Sequence, residues 1–164
     1  MPRARRYRLG SAALGLALLG ACGTGGSDEG ACGPIVREAL DSAYLVHVLG
    51  DERDVEYTSD PPTSGPHQPG PPVEGVVEDP ISRPVQVGIL ERGDVLLQHD
   101  PDLPGAELGR LAQLAGDGVV VAPNPELSDA VVATAWTAKR TCSGVDTTAL
   151  EEFVDERAGK GPEG

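Results

Sequence analysis

The chain has 164 residues, of which 39% are hydrophobic and 3% aromatic, and its formal net charge is −13. This length suits one small domain with terminal segments and argues against two domains. The acidic balance argues against nucleic acid as a partner and makes anionic lipid a poor one, because both repel negative charge.

The first 21 residues are predicted to be a lipoprotein signal peptide. Arginines at positions 3, 5, 6 and 8 form a basic n-region, and the apolar run 9–19 is too short for a permanent membrane-spanning helix. The tetrad LGAC, residues 19–22, resembles the bacterial lipobox, so Cys22 is the expected lipidation site. Acyl chains such as palmitate would hold the mature protein to membrane lipid on the extracytoplasmic side of the cell membrane. Cleavage without lipidation is the alternative.

The other two cysteines are predicted to pair. Residues 22–31 comprise the lipidated Cys22 and a flexible Gly/Ser-rich tether, and beyond it only Cys32 and Cys142 remain. Their compartment would be oxidising, so a disulfide closing a loop of about 110 residues is expected. A redox-active pair is disfavoured because the spacing is not CxxC. The folded domain is expected over residues 32–158, with 159–164 as a C-terminal tail.

The elements expected in this domain define its fold class. Helical spacing of apolar residues and helix start signals predict helices at 34–44, 104–116 and 147–157. Short apolar runs bounded by turn formers predict strands at 84–90, 94–99, 119–121 and 130–136. The expected fold is α+β: a small mixed sheet of about four strands, two or three short helices and a long Pro/Gly-rich loop.

The most constrained stretch is YTSDPPTSGPH, residues 57–67. Its three prolines fix φ and remove backbone donors, its glycine adds freedom, and its hydroxyls can close local turns. We expect one turned shape that acts as a recognition loop and presents a histidine at its end. The recognition loop comprises Tyr57, Pro61, Pro62, Thr63, Ser64, Gly65, Pro66 and His67.

The segments YTSDPPTSGPHQPG, LERGDVLLQHDP, AWTAKRTC and GKGPEG follow one another in this order. Together they resemble the bacterial DUF3105 family over about residues 40–164. The resemblance implies an envelope location and no particular activity. Family members read HNLEHG where this chain has GILERG, so Gly88 and Arg92 replace two histidines while Glu91 is retained. His47 and His67 fall on the family's other histidine positions.

Two functions remain open for this set of residues. Histidine with carboxylate suits copper or zinc, and the smallest metal-ligand set is His47, His67 and Glu91. The alternative for His67 is structural, with its ring bonded to a carbonyl of the loop. Ser64 lies near His67 but no orienting group is visible, so we expect no enzyme and no required cofactor. The leading hypothesis is a membrane-anchored lipoprotein that serves as a non-catalytic binding or structural module of the cell envelope, with an envelope protein or cell-wall component as its partner. The alternative is an envelope metal-binding protein.

Overall fold

The computed structural model describes residues 30–49 and 55–164. The described residues form six strands and three helices. In chain order these are β1 Val36–Arg37, β2 Gly75–Val76, α1 Arg83–Glu91, β3 Val95–His99, α2 Gly105–Ala112, β4 Val119–Pro123, β5 Val131–Ala135, β6 Ala138–Cys142 and α3 Thr147–Arg157. The predicted signal peptide and Cys22 lie outside the described residues.

The strands form one mixed sheet in the order β1-β6-β5-β3-β4-β2. β2 and β3 each run parallel to β4, while β5 is antiparallel to β3 and β6, and β1 is antiparallel to β6. Parallel strands need long crossover connections, which α1 and α2 provide. The α+β class is therefore confirmed, with more strands than the four expected. The additional ones are two-residue edge strands and the polar β6, whose lysine, arginine and threonine hide the strand pattern.

The sheet is covered on both faces. On one face, β3 packs through Val95 and Leu97 against α2 and α3, including the fully buried Phe153. On the other face, Leu96 packs with Ile89 and its neighbours on α1. All five residues of β3 are buried, which is why its sequence reads as an apolar run without strict alternation.

The last helix forms where its sequence predicts. Asp146 occupies the N-cap of α3, and its Oδ1 accepts the backbone N–H of Ala149 at 3.1 Å. α2 is shorter than expected and ends at Ala112, because Gly116 instead forms an isolated bridge with Val119 at the entry to β4.

The strand expected at 84–90 is a helix, α1. Pro84 is its second residue, where a missing N–H costs nothing. Residues 86–90 are all buried between the sheet and the Pro-rich segment, so no polar face reveals the helical period. The alternation of Val85, Val87 and Ile89, which favoured a strand, is overridden by packing.

The helix expected at 34–44 does not form. Val36 and Arg37 instead pair with β6, next to the Cys32–Cys142 disulfide that holds this segment against the sheet. Asp41 then closes a local turn, with its Oδ1 accepting the N–H of Ala43 at 2.8 Å.

Candidate functional site

The Pro-rich loop is fixed by its hydroxyl groups. Ser64 Oγ accepts the backbone N–H of Asp41 at 2.9 Å, and Tyr57 Oη donates to the carbonyl of Pro66 at 2.9 Å. Thr63 Oγ1 donates to Glu38 Oε2 at 2.6 Å. Three hydroxyls therefore connect the loop to itself and to the segment that follows the disulfide.

Glu38 is the charged end of this network. Its Oε1 lies 3.2 Å from Lys139 Nζ on β6. Burial by itself raises the pKa of Glu38, but hydrogen bonds from Thr63 and Ser59 and the charge of Lys139 outweigh it, so the pKa is lowered. The carboxylate is thus held ionised beside the loop.

The loop is interior, which corrects its interpretation as a recognition surface. Residues 61–65 are buried, and Thr63 and Ser64 are 2% and 3% exposed. Prolines carry no N–H that burial could leave unpaired, and the two hydroxyls have partners, so this polar stretch can be buried without a large cost. Thr63 and Ser64 therefore offer almost no side-chain surface to a partner.

The main chain brings two histidines together at the end of this loop. His67 donates its N–H to the carbonyl of Val46 at 3.0 Å, and Val48 donates to the carbonyl of His67 at 2.8 Å. This short parallel pairing places the rings of His47 and His67 edge to face, with centroids 4.8 Å apart and planes at 73°. His47 is exposed, whereas His67 is 1% exposed.

The ring of His67 contacts a carbonyl and a carboxylate. Nδ1 lies 3.3 Å from the carbonyl oxygen of Gly65, which can only accept, so this nitrogen carries the hydrogen. Nε2 lies 2.8 Å from Glu91 Oε2, at the end of α1. The pair has the distance of an ion pair but not the alignment of a hydrogen bond. The Gly65 contact is the kind that the structural alternative for His67 predicts, whereas the contact with Glu91 was not part of that prediction.

Glu91 is the carboxylate of this cluster. Burial raises its pKa, and although His67 and His47 favour the ionised form, the nearby carboxylate of Glu163 adds to the increase. The C-terminal tail brings Glu163 here, because its N–H donates to the carbonyl of Glu91 at 3.1 Å. The sequence reasoning missed this residue; the closely spaced glycines of GKGPEG are the signal that could have indicated a tightly packed tail.

Glycines permit the close approach of the tail. A Cβ at Gly161 would overlap the carbonyl oxygen of Glu91 and the nitrogen of Gly93. Gly93 itself has φ of 93°, and a Cβ there would lie 3.1 Å from the Cα of Gly159. The N–H of Gly159 donates to the Gly93 carbonyl at 2.8 Å. At Gly88, where the family pattern has histidine, a Cβ would lie 2.8 Å from the carbonyl oxygen of Gln68. A side chain at position 88 would thus require the backbone to move.

The predicted metal ligands come together, but not as a built metal site. Within residues 30–49 and 55–164, no group of three or more His, Cys, Asp or Glu side chains is arranged to hold a metal ion. His67 directs Nδ1 to Gly65 and Nε2 to Glu91. A metal ion at His47, His67 and Glu91 would have to displace one of these contacts.

The disulfide prediction is confirmed. Cys32 and Cys142 are joined, with Sγ atoms 2.02 Å apart and a separation of 110 residues along the chain. Arg140, two residues earlier on β6, donates to the carbonyl of Gly33 at 2.8 Å and so fixes the same region.

A large surface cavity in the described part of the chain is separate from the histidines. It measures about 700 Å³ and lies at the amino ends of the parallel strands. Arg92 is the only cation among its lining residues, whereas Glu74, Asp94 and Asp117 contribute three carboxylates. This charge balance disfavours an anionic ligand.

These features define a small disulfide-bonded α+β domain whose mixed sheet is covered on both faces and whose histidine–glutamate cluster is closed by the C-terminal tail. The family model described as "Protein of unknown function (DUF3105)" matches residues 47–164, and the chain belongs to this family. Comparison with curated proteins and with solved structures returned no match. Among the helices in the described part of the chain, none has the length and apolar character needed to cross a membrane.

Proposed function

We propose that this chain is a bacterial lipoprotein, held on the extracytoplasmic side of the cell membrane through acylated Cys22, and that it serves there as a non-catalytic binding or structural module. The Cys32–Cys142 disulfide carries the proposal. Structural disulfides persist in oxidising compartments. The sequence has three cysteines, and the one outside the disulfide, Cys22, is the cysteine of the lipobox-like tetrad. A tether of flexible composition separates that cysteine from the domain.

The environment of the loop supports a non-catalytic role. Ser64 Oγ, the one hydroxyl considered as a nucleophile, accepts the N–H of Asp41 and is buried. His67, the base it would need, directs its ring nitrogens to Gly65 and Glu91. The two groups thus serve the packing of the loop, and a partner is expected to bind elsewhere on the surface.

The lipid anchor is tested by labelling the full-length precursor with palmitate during expression in a bacterial host. The parent protein is expected to incorporate label and to sediment with membranes, and Cys22→Ala is expected to abolish both. Cys32→Ala is the matched control, since it removes a different cysteine and should retain the label. Equal labelling of the parent and Cys22→Ala, or release of the unlabelled parent to the medium, would refute the anchor.

A second candidate function is copper or zinc binding. The observation that favours it is the convergence of His47, His67 and Glu91 from three segments far apart in sequence. Two imidazoles and a carboxylate are suitable donors for either metal. Binding would require Glu91 or the Gly65 carbonyl to release His67.

Calorimetric titration of the mature chain with Cu²⁺ and Zn²⁺ near neutral pH distinguishes this candidate. His47→Asn is the informative variant because His47 is exposed and its removal leaves the loop contacts in place. Stoichiometric binding that is lost in His47→Asn but retained in His99→Asn would support a metal site at the cluster. Absence of binding by the parent would leave His67 and Glu91 with a structural role.

A further inference from the structure

The described part of the chain exposes few large hydrophobic side chains, and most of them are grouped in one short segment. Six large aliphatic residues are exposed, and five of these lie between positions 36 and 49. We call these five the apolar strip: Val36, Leu40, Leu45, Val46 and Leu49, which are 52%, 48%, 73%, 50% and 88% exposed. The sixth, Val76, lies in β2 at the opposite edge of the sheet. A grouping of this kind is typical of an interaction surface.

The charged groups of the same segment are occupied by internal partners. Arg37 pairs with Glu156 at 2.8 Å, Glu38 bonds Thr63, and the carboxylate of Asp41 accepts the N–H of Ala43. The segment therefore presents aliphatic side chains outward while each of these charged side chains has a partner within the domain. Such a surface favours an apolar partner over a charged one.

The position of the strip in the chain identifies that partner. The disulfide fixes Cys32 to the sheet, and the strip begins four residues later. Cys22 precedes Cys32 by ten residues, a length that spans at most about 35 Å when extended and about 17 Å on average for a Gly/Ser-rich chain. A lipid anchor at Cys22 would hold the strip beside the bilayer at an effective concentration on the order of millimolar.

We infer that the apolar strip lies against the membrane, with its aliphatic side chains at the boundary between headgroups and acyl chains. This inference rests on the proposed lipid anchor and adds the orientation of the domain: β1 faces the bilayer and β2, at the far edge of the sheet, faces away. Removal of the signal peptide leaves nine basic against 26 acidic residues, so zwitterionic lipid is the appropriate surface and anionic lipid opposes the contact.

Site-specific fluorescence of the full-length, lipidated protein tests the inference. Leu49→Cys and the control Val76→Cys each introduce one free thiol, because Cys22 would be acylated and the remaining two cysteines are joined. Both positions are exposed, so neither substitution disturbs the core. Each variant is labelled with an environment-sensitive fluorophore and reconstituted into phosphatidylcholine vesicles with or without brominated acyl chains.

Quenching by brominated lipid of at least twofold at position 49, with little at position 76, is the expected result. A protein that floats with the vesicles but is quenched equally weakly at both positions would overturn the inference and leave the anchor intact. Emission at position 49 that shifts with protein density but not with lipid bromination would assign the strip to a second copy of the chain, and would also overturn it. A protein that fails to float would refute the anchor and the orientation together.

Discussion

Removing the disulfide is expected to cost a large part of the stability of this domain. The bond joins residues separated by 110 positions, for which the chain-entropy relation gives about 5 kcal/mol at 25 °C. Domains of this size unfold with roughly 5–15 kcal/mol, so Cys32→Ala should be marginally stable. Cys142 is 1% exposed in the larger core cluster, and Cys142→Ala should lose about 1 kcal/mol more because a small cavity remains.

The measurement is urea unfolding of the mature chain at pH 7, followed by circular dichroism, in a Cys22→Ala background that removes the third thiol. A matched control is the reductant: it should lower the midpoint of the parent and leave Cys32→Ala unchanged. The double variant Cys32→Ala/Cys142→Ala should resemble Cys142→Ala alone, because both substitutions remove the same bond. A parental midpoint in Cys32→Ala, or additive losses in the double variant, would refute the reasoning.

Three further predictions concern the tail, the loop and the cluster. Gly161→Ala should destabilise the domain by about 1–3 kcal/mol because its methyl group would overlap backbone atoms. Gly109→Ala, in open space on α2, should instead stabilise it by about 1 kcal/mol. Urea midpoints of the two variants that move in the same direction would contradict this. Thr63→Val removes a hydrogen bond to the Glu38 carboxylate and should cost about 1.5–3 kcal/mol at pH 7. The pKa of Glu38 in the folded state lies below 4.5, so the stability lost in Thr63→Val should be fully present above pH 4.5 and should shrink as the pH falls through the folded-state pKa. A stability difference between parent and Thr63→Val that does not change with pH would exclude the network. The pKa of Glu91 in the folded state is raised above 4.5, so the parent should lose stability relative to Glu91→Gln as the pH rises above 4.5. If the stability of both proteins changes with pH in the same way, Glu91 is not buried as described.

The burial of the Pro-rich loop changes where a partner should be sought. Prolines and small hydroxyl residues are common in exposed turns, and this composition alone suggests a surface loop. Here the loop hydroxyls bond the segment that follows Cys32, and His67 at the end of the loop lies beside Glu91 of α1. Five of the six exposed large aliphatic side chains in the described residues lie instead between positions 36 and 49.

Local sequence signals correctly predicted some of the helices and strands. Asp146 at the start of α3 and the buried apolar run of β3 could be read directly, because a cap and an apolar run bounded by turn formers act over a few residues. The pairing of Cys32 with Cys142 was predicted by counting cysteines and expecting an oxidising compartment, and the disulfide is present. The family resemblance is carried by short motifs in order and was confirmed by the match to residues 47–164.

Tertiary packing decided the remainder. α1 is buried on so many sides that its sequence shows no helical period. The helix expected at 34–44 does not form because the disulfide and β6 hold Val36–Arg37 as a strand at the sheet edge. The sequence indicated three candidate site residues, His47, His67 and Glu91. Their contacts with one another and with Glu163 depend on long-range main-chain pairing and on glycines that let the C-terminal tail approach. The sequence by itself determined which reactive and hydrogen-bonding side chains this domain has. The tertiary structure determined which of these side chains are near one another and which are accessible, because proximity and burial depend on residues distant in the chain.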